Sequence, residues 1–182
     1  MPSPTTNEVI DALMARLTAA QWTPAGGDPE PAFGVVAFYE DENPARALAG
    51  LLANRNQRVA ALYYEGQDWE TTALSLNLCQ QHPLWLFTLY FADRHWSGRD
   101  PRATRGGEGF PGAHELQDIV ADALAGPLLP RAMCAKENMR FLALNEADDK
   151  GRPKDPLSRK AIALQLRVLG GWVVNKNVPQ PA

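Results

Sequence analysis

Nine consecutive residues, Leu84-Trp85-Leu86-Phe87-Thr88-Leu89-Tyr90-Phe91-Ala92, are apolar or aromatic apart from Thr88. A bilayer-spanning helix needs about 20 such residues, so this run is a buried strand and not a membrane span. Trp85, Phe87, Leu89 and Phe91 alternate with Leu86, Thr88, Tyr90 and Ala92, which leaves both faces of that strand largely apolar. A strand of this kind belongs at the centre of a sheet, or has one face covered by another subunit. Directly after it the chain enters a segment holding Arg94, Arg99, Arg102 and Arg105 together with Gly98, Gly106, Gly107, Gly109 and Gly112. Long polar excursions from a buried strand commonly carry function. What this loop holds, whether a substrate, a nucleic acid or another protein, is the central question.

The chain has 182 residues, 45% hydrophobic and 21% charged, which predicts one compact domain over residues 1–182. Its formal net charge of -3 argues against a surface devoted to nucleic acid, although a local basic loop is compatible with it. Cys79 and Cys134 form no CxxC pair and no His stands at finger spacing, so both read as small buried apolar residues. The opening Met1-Pro2-Ser3-Pro4-Thr5-Thr6 lacks the positive charge and apolar run of a secretory signal. The expectation is a protein that folds in a reducing cytoplasm, with no membrane partner.

Along the chain, Asn7 is a candidate cap for a first helix whose apolar face is Val9, Ile10, Leu13, Met14, Leu17 and Ala20, ending near Gln21. Residues 23–31 contain three prolines and two glycines and predict an exposed loop. A short strand over 33–39 follows, then Asn43-Pro44 as cap and first helical residue of a helix with Leu48, Leu51 and Leu52 inward. Residues 58–65 predict a strand bounded by Gly66, residues 71–80 another, and His82-Pro83 a break before the strand at Leu84. Residues 113–125 predict a helix with Leu116, Ile119, Val120, Ala123 and Leu124 on one stripe, stopped by Gly126-Pro127. Two further strands, 139–144 and 160–169, flank a charged loop at 145–156. The segments about 23–32, 95–112, 145–157 and 175–182 are expected to be flexible. There is no internal repeat, and the element order predicts an α+β fold, a mostly antiparallel or mixed sheet with helices packed on one face.

Candidate chemistry is sparse. Asp93, His95, His114 and Glu115 would be the members of any metal or acid/base group, but no HExxH or other ligand spacing is present. The glycine run Gly106-Gly107-Glu108-Gly109-Phe110-Pro111-Gly112 precedes a helix yet lacks the GK[ST] ending of a phosphate loop, and Glu108 opposes an anion. Ser75, Ser97 and Ser158 lie in no GxSxG elbow, and Cys79 has no identifiable base. The sequence therefore predicts no enzyme, no catalytic residue, no metal and no cofactor. The remaining candidates are interface residues: Arg94, Trp96, Arg99, Arg102, Arg105 and Phe110. Arginine with aromatics suits a protein interface hot spot. The same composition also suits nucleic-acid phosphates and bases, which keeps a small nucleic-acid-binding module as the alternative. Asp93, Asp100 and Glu108 reduce the net charge of the loop and favour protein contact.

The strand leading into Phe91-Ala92-Asp93-Arg94, the Arg/Gly loop closing at Gly109 to Gly112, the helix with Leu116, Ile119, Val120 and Leu124, and the ending Ala125-Gly126-Pro127-Leu128-Leu129 resemble Mu-like phage and prophage tail proteins of the tail-terminator type. Glu8-Val9-Ile10-Asp11-Ala12-Leu13-Met14-Ala15-Arg16-Leu17 looks like their opening helix, and the strand ending near Trp172 like their closing one. The proline-rich segment around Thr23 to Pro31 and the charged loop from Asn145 to Pro156 depart from the pattern. The resemblance implies a non-enzymatic α+β subunit that forms a homo-oligomeric ring, a hexamer, on the end of the tail tube. Its partners would be further copies of itself, the tail tube protein and a head-completion or connector protein, with DNA only passing through the ring. It would reside in the host cytoplasm during assembly and then in the virion tail. Another head-tail connector or completion protein is the nearest structural alternative.

Overall fold

A computed structural model describes residues 4–53, 58–75, 78–96, 105–107, 109–144, 159–171 and 173–175. Helix α1 (Thr6–Ala19) starts two residues earlier than Asn7 capping requires, because Thr5 is the cap. Its hydroxyl accepts from the Glu8 amide, and the Glu8 carboxylate accepts from the Thr5 amide at 2.7 Å, a reciprocal pair that satisfies two free N–H groups. Two short strands, β1 (Gln21–Trp22) and β2 (Glu30–Pro31), pair antiparallel and clasp the ends of the proline-rich segment, so the expected exposed loop is narrower than residues 23–31. Strand β3 (Val35–Tyr39) leads to helix α2 (Pro44–Ala53), where Asn43 Oδ1 accepts from the amides of Ala45 and Arg46 as the Asn-Pro pair predicts.

The largest departure from expectation lies in β4 (Arg58–Ser75) and β5 (Leu78–Asp93), one long antiparallel hairpin. Gly66 does not end β4: the register shifts between Tyr64 and Gly66 and the strand continues. His82-Pro83 does not break β5 either. Pro83 lacks a donor, but it falls where the partner ladder is itself interrupted. β8 (Arg159–Gly170) pairs with β5 from Leu84 onward, β9 (Val173–Asn175) pairs with residues 79–81, and the register slips by one residue between them. Gly170 sits at this slip, where a Cβ would stand 2.6 Å from Pro83 Cγ.

Helix α3 (Ala113–Ala123) precedes β6 (Pro127–Leu129) and β7 (Ala132–Leu144), which begins well before the expected residue 139. The carbonyls at the end of α3 are met by cations: Arg16 Nη1 donates to Ala125 O at 2.7 Å and Lys136 Nζ to Ala121 O at 2.6 Å. The main sheet runs β3-β4-β5-β8-β7-β6, with only β3 and β4 parallel. This is an α+β mixed sheet with β5 inside it, as its doubly apolar pattern predicts.

The expectation of helices on one face needs correction. Val9, Leu13 and Leu17 of α1 and Leu116 and Val120 of α3 pack with Trp85, Phe87, Leu89 and Phe91 of β5 and with Ile162, Leu164, Leu166 and Val168 of β8. Ala47, Leu48 and Leu52 of α2 pack on the opposite face, against Val59, Ala61, Tyr63, Ala92 and Ala161. The parallel β3-α2-β4 crossover carries α2 to that side, since a connection between parallel neighbours must pass over one face of the sheet. Cys134 is half-buried against the first core, and burial pushes its thiol up to about 11. The side chain of Cys79 lies outside the described residues, as do residues 145–157 and 176–182. Among the described residues no helix is long and apolar enough to cross a membrane.

Candidate functional site

The end of β5 and the start of α3 hold the stem of the arginine loop. Asp93 is fully buried, and its Oδ1 accepts from the His95 amide at 2.7 Å and from His95 Nδ1 at 2.9 Å, an Asx-type turn that reverses the chain as it leaves the sheet. Burial pushes the Asp93 carboxyl above the usual carboxylate range, against the pull of His95 and Arg58. Its Oδ2 has no hydrogen-bond partner among the described residues.

The neighbouring Trp96 turns inward. It is 0% exposed, packs edge-on to Phe91 at 6.4 Å, and donates its indole N–H to Pro111 O at 3.0 Å. This corrects the placement of Trp96 on a contact surface: the ring is a core anchor that pins one end of the loop to the other. Outside it, the half-exposed His95 ring stacks on Phe110 at 5.0 Å, and Gly107 and Phe110 exchange backbone bonds. Gly106 has φ +84 and lies so close to Gly112 that a Cβ would stand 2.8 Å from its amide nitrogen, so only glycine fits this closure. Trp22 Nε1 donates to Glu115 Oε1 at 2.9 Å and ties α3 to the β1-β2 ribbon.

Of the six interface candidates, the structure brings Trp96 and Phe110 into the stem and leaves Arg94 and Arg105 exposed at its margins. Arg99 and Arg102 lie outside the described residues. His114 is on the exposed side of the first turn of α3. Asp93 and His95 form a carboxylate-imidazole pair of the sort that orients a base. Among the described residues, however, no three His, Cys, Asp or Glu side chains gather at metal-binding distance. The pair fixes the turn by which the chain leaves β5.

A second clamp went unnoticed in the sequence. Arg58, 6% exposed at the start of β4, donates Nε to Ala32 O at 2.9 Å and Nη2 to Glu30 Oε1 at 2.6 Å, with its guanidinium 4.8 Å above the Trp22 ring. Residue type alone gave no cue, because the partners lie 26 or more positions away in the chain.

The other feature missed by sequence reasoning is a part of the second sheet face that no helix covers among the described residues. α2 covers only one end of it. Beyond α2, register places Leu84, Leu169 and Met133 in one row across β5, β8 and β7. Met133 is 64% and Leu169 39% exposed. The row borders a cleft of about 460 Å³ lined by His82, Leu129, Arg131, Met133, Leu169 and Gly170, among others. Next to it, Arg167 and Glu137 form an ion pair at 3.1 Å, and Thr88 hydrogen-bonds Glu65. The signal available in the sequence was the half-apolar alternation of residues 160–169, but Met133 fell before the expected start of β7.

No protein-family model matches this chain, and no curated protein matches it in sequence.

Proposed function

We propose that this chain is a structural subunit of a phage or prophage tail, of the tail-terminator type, which assembles as a homo-oligomeric hexameric ring that caps the tail tube and offers the surface to which the head joins. The observation that carries this reading is the half-covered second face of the sheet. A ring subunit needs apolar surface reserved for its neighbours, and here Met133 and Leu169 stand exposed side by side on neighbouring strands. The arginine loop supports it as well: a closed stem of Trp96, Pro111, His95 and Phe110 presents the exposed Arg94 and Arg105 on a fixed base. Such a base suits contact with the tube or the head.

The nucleic-acid alternative loses one of its stacking platforms, because the Trp96 ring is buried. Light scattering over a range of concentrations, followed by negative-stain imaging, tests the assignment. Rings that bind purified tail tube protein are the expected result. A concentration-independent monomer that is retained on heparin with a steep salt dependence would overturn it in favour of the nucleic-acid module.

A further inference from the structure

Two buried polar atoms on the first face of the sheet have no hydrogen-bond partner among the described residues: Arg58 Nη1 and Asp93 Oδ2. Register sets the two residues opposite each other at the end of the β4-β5 ladder, where Arg58 is 6% and Asp93 0% exposed. The Asp93 carboxyl is thus out of water, and the stem of the arginine loop is bonded directly to this residue. Its Oδ1 takes both His95 donors, its backbone carbonyl accepts from the Trp96 amide at 3.1 Å, and the buried Trp96 indole is tied to Pro111 O across the stem. The charged groups around Asp93 are few. Arg58 comes from β4 and is shared with Glu30 of β2, and His95 comes from the stem itself. From α3, Glu115 is turned to the Trp22 indole and the Gly112 amide.

We propose that this stem is a proton-coupled latch, which closes over a neutral Asp93 and loosens when Asp93 ionises. An ionised carboxylate needs donors for both oxygens, and out of water Oδ2 has none, whereas the neutral acid demands far less solvation. With the proton on Oδ2, Oδ1 remains free to accept both His95 bonds. Parting those bonds admits water to the carboxyl, so ionisation favours the open stem. Two groups oppose this. His95 and Arg58 draw Asp93 towards its charged form, but burial outweighs them and holds the carboxyl above the usual carboxylate range. A closed stem therefore binds the proton more tightly than an open, hydrated one. Its stability is full below the ordinary carboxylate range and is lost as pH rises through the raised value. The latch is independent of the assembly proposed above.

The test reads hydrogen exchange by NMR at the Trp96 backbone amide and indole N–H, corrected for the intrinsic rate at each pH, with the amide of the buried Leu89 in β5 as reference. In the wild type, protection of Trp96 relative to Leu89 is expected to fall by at least about threefold from pH 4 to pH 7. In Asp93→Asn, whose amide copies the neutral acid, the ratio is expected to stay at the wild-type acid level throughout. His95→Gln keeps a donor but does not titrate, and the fall is expected to persist in it. A wild-type ratio that is constant or rises with pH would overturn the latch, as would an Asp93→Asn chain that keeps the fall. Loss of the fall in His95→Gln would move the proton to His95 and sink the assignment to Asp93. Should Asp93→Asn fail to fold, an NMR titration of the wild-type Asp93 carboxyl carbon decides the matter: a midpoint shared with the Trp96 change supports the latch, and separate midpoints refute it.

Discussion

The two faces of the sheet are built from the same strands, and β5 offers each of them a comparable set of apolar side chains. The first face is closed. α1 and α3 lie across it, and Trp85, Phe87, Leu89 and Phe91 are at most 1% exposed. The second face is closed only where α2 reaches, over Val59, Ala61, Tyr63 and Ala92. Farther along, Leu86 is partly exposed and Met133 and Leu169 openly so. The difference shows that apolar pattern specifies which residues prefer to leave water, whereas the helices available in the chain decide which of them do so within one subunit. Among the described residues, two helices cover one face and a single ten-residue helix serves the other.

The largest test of this contrast is Phe87→Ala. The side chain is 1% exposed in the first core, so its loss should cost about 3–5 kcal/mol in urea denaturation. A cost below 1 kcal/mol would mean that the first face is not the stabilising core.

Tyr63 probes the covered end of the second face. It stacks on Tyr39 at 5.4 Å and meets Tyr90 edge-on at 5.2 Å, yet its buried hydroxyl has no hydrogen-bond partner among the described residues. Tyr63→Phe should hold or raise stability at pH 7, by up to about 1 kcal/mol. Burial, with Tyr39, Glu42 and Tyr90 nearby, pushes this phenol up to about 12 from its ordinary 10.0. The unfolded chain therefore releases the proton first, and stability should fall as pH rises from 10 towards 12. Comparing denaturation of wild type and Tyr63→Phe at pH 8 and pH 11 isolates the effect: the variant should gain on the wild type at the higher pH.

The smallest effect belongs to the open end. Met133→Ser should change the stability of the isolated subunit by no more than about 0.5 kcal/mol, since the side chain is already 64% in water. A loss of 2 kcal/mol or more at subunit concentrations too low for assembly would erase the distinction between closed and open ends.

Particular elements show why some of the fold was legible and some was not. The Asn43-Pro44 start of α2, the stripe of α3 and the inner position of β5 follow from spacings within a few residues. The continuation of β4 through Gly66 and of β5 through His82-Pro83 runs against the local signals. A long ladder of cross-strand bonds outweighs a single glycine or proline, and the slip at Gly170 accommodates the missing donor. Within the candidate site, Asp93 and His95 were legible as neighbours, and their hydrogen bonds follow from that proximity. That Trp96 faces inward and Phe110 lies on His95 was not legible, because the partners are 15 residues apart in both cases and meet only when the loop stem closes.

By itself the sequence determined the α+β class, the central strand and the starts of α2 and α3, since each depends on side-chain periodicity and capping chemistry along a short stretch of chain. Only the tertiary structure decided that α2 crosses to the far face, that Trp96 is an anchor and not a contact residue, and that Trp69 and the Met133-Leu169 row remain in water. Those outcomes depend on which distant segments pair and what surface is left when the helices have been placed, and no local pattern encodes that remainder.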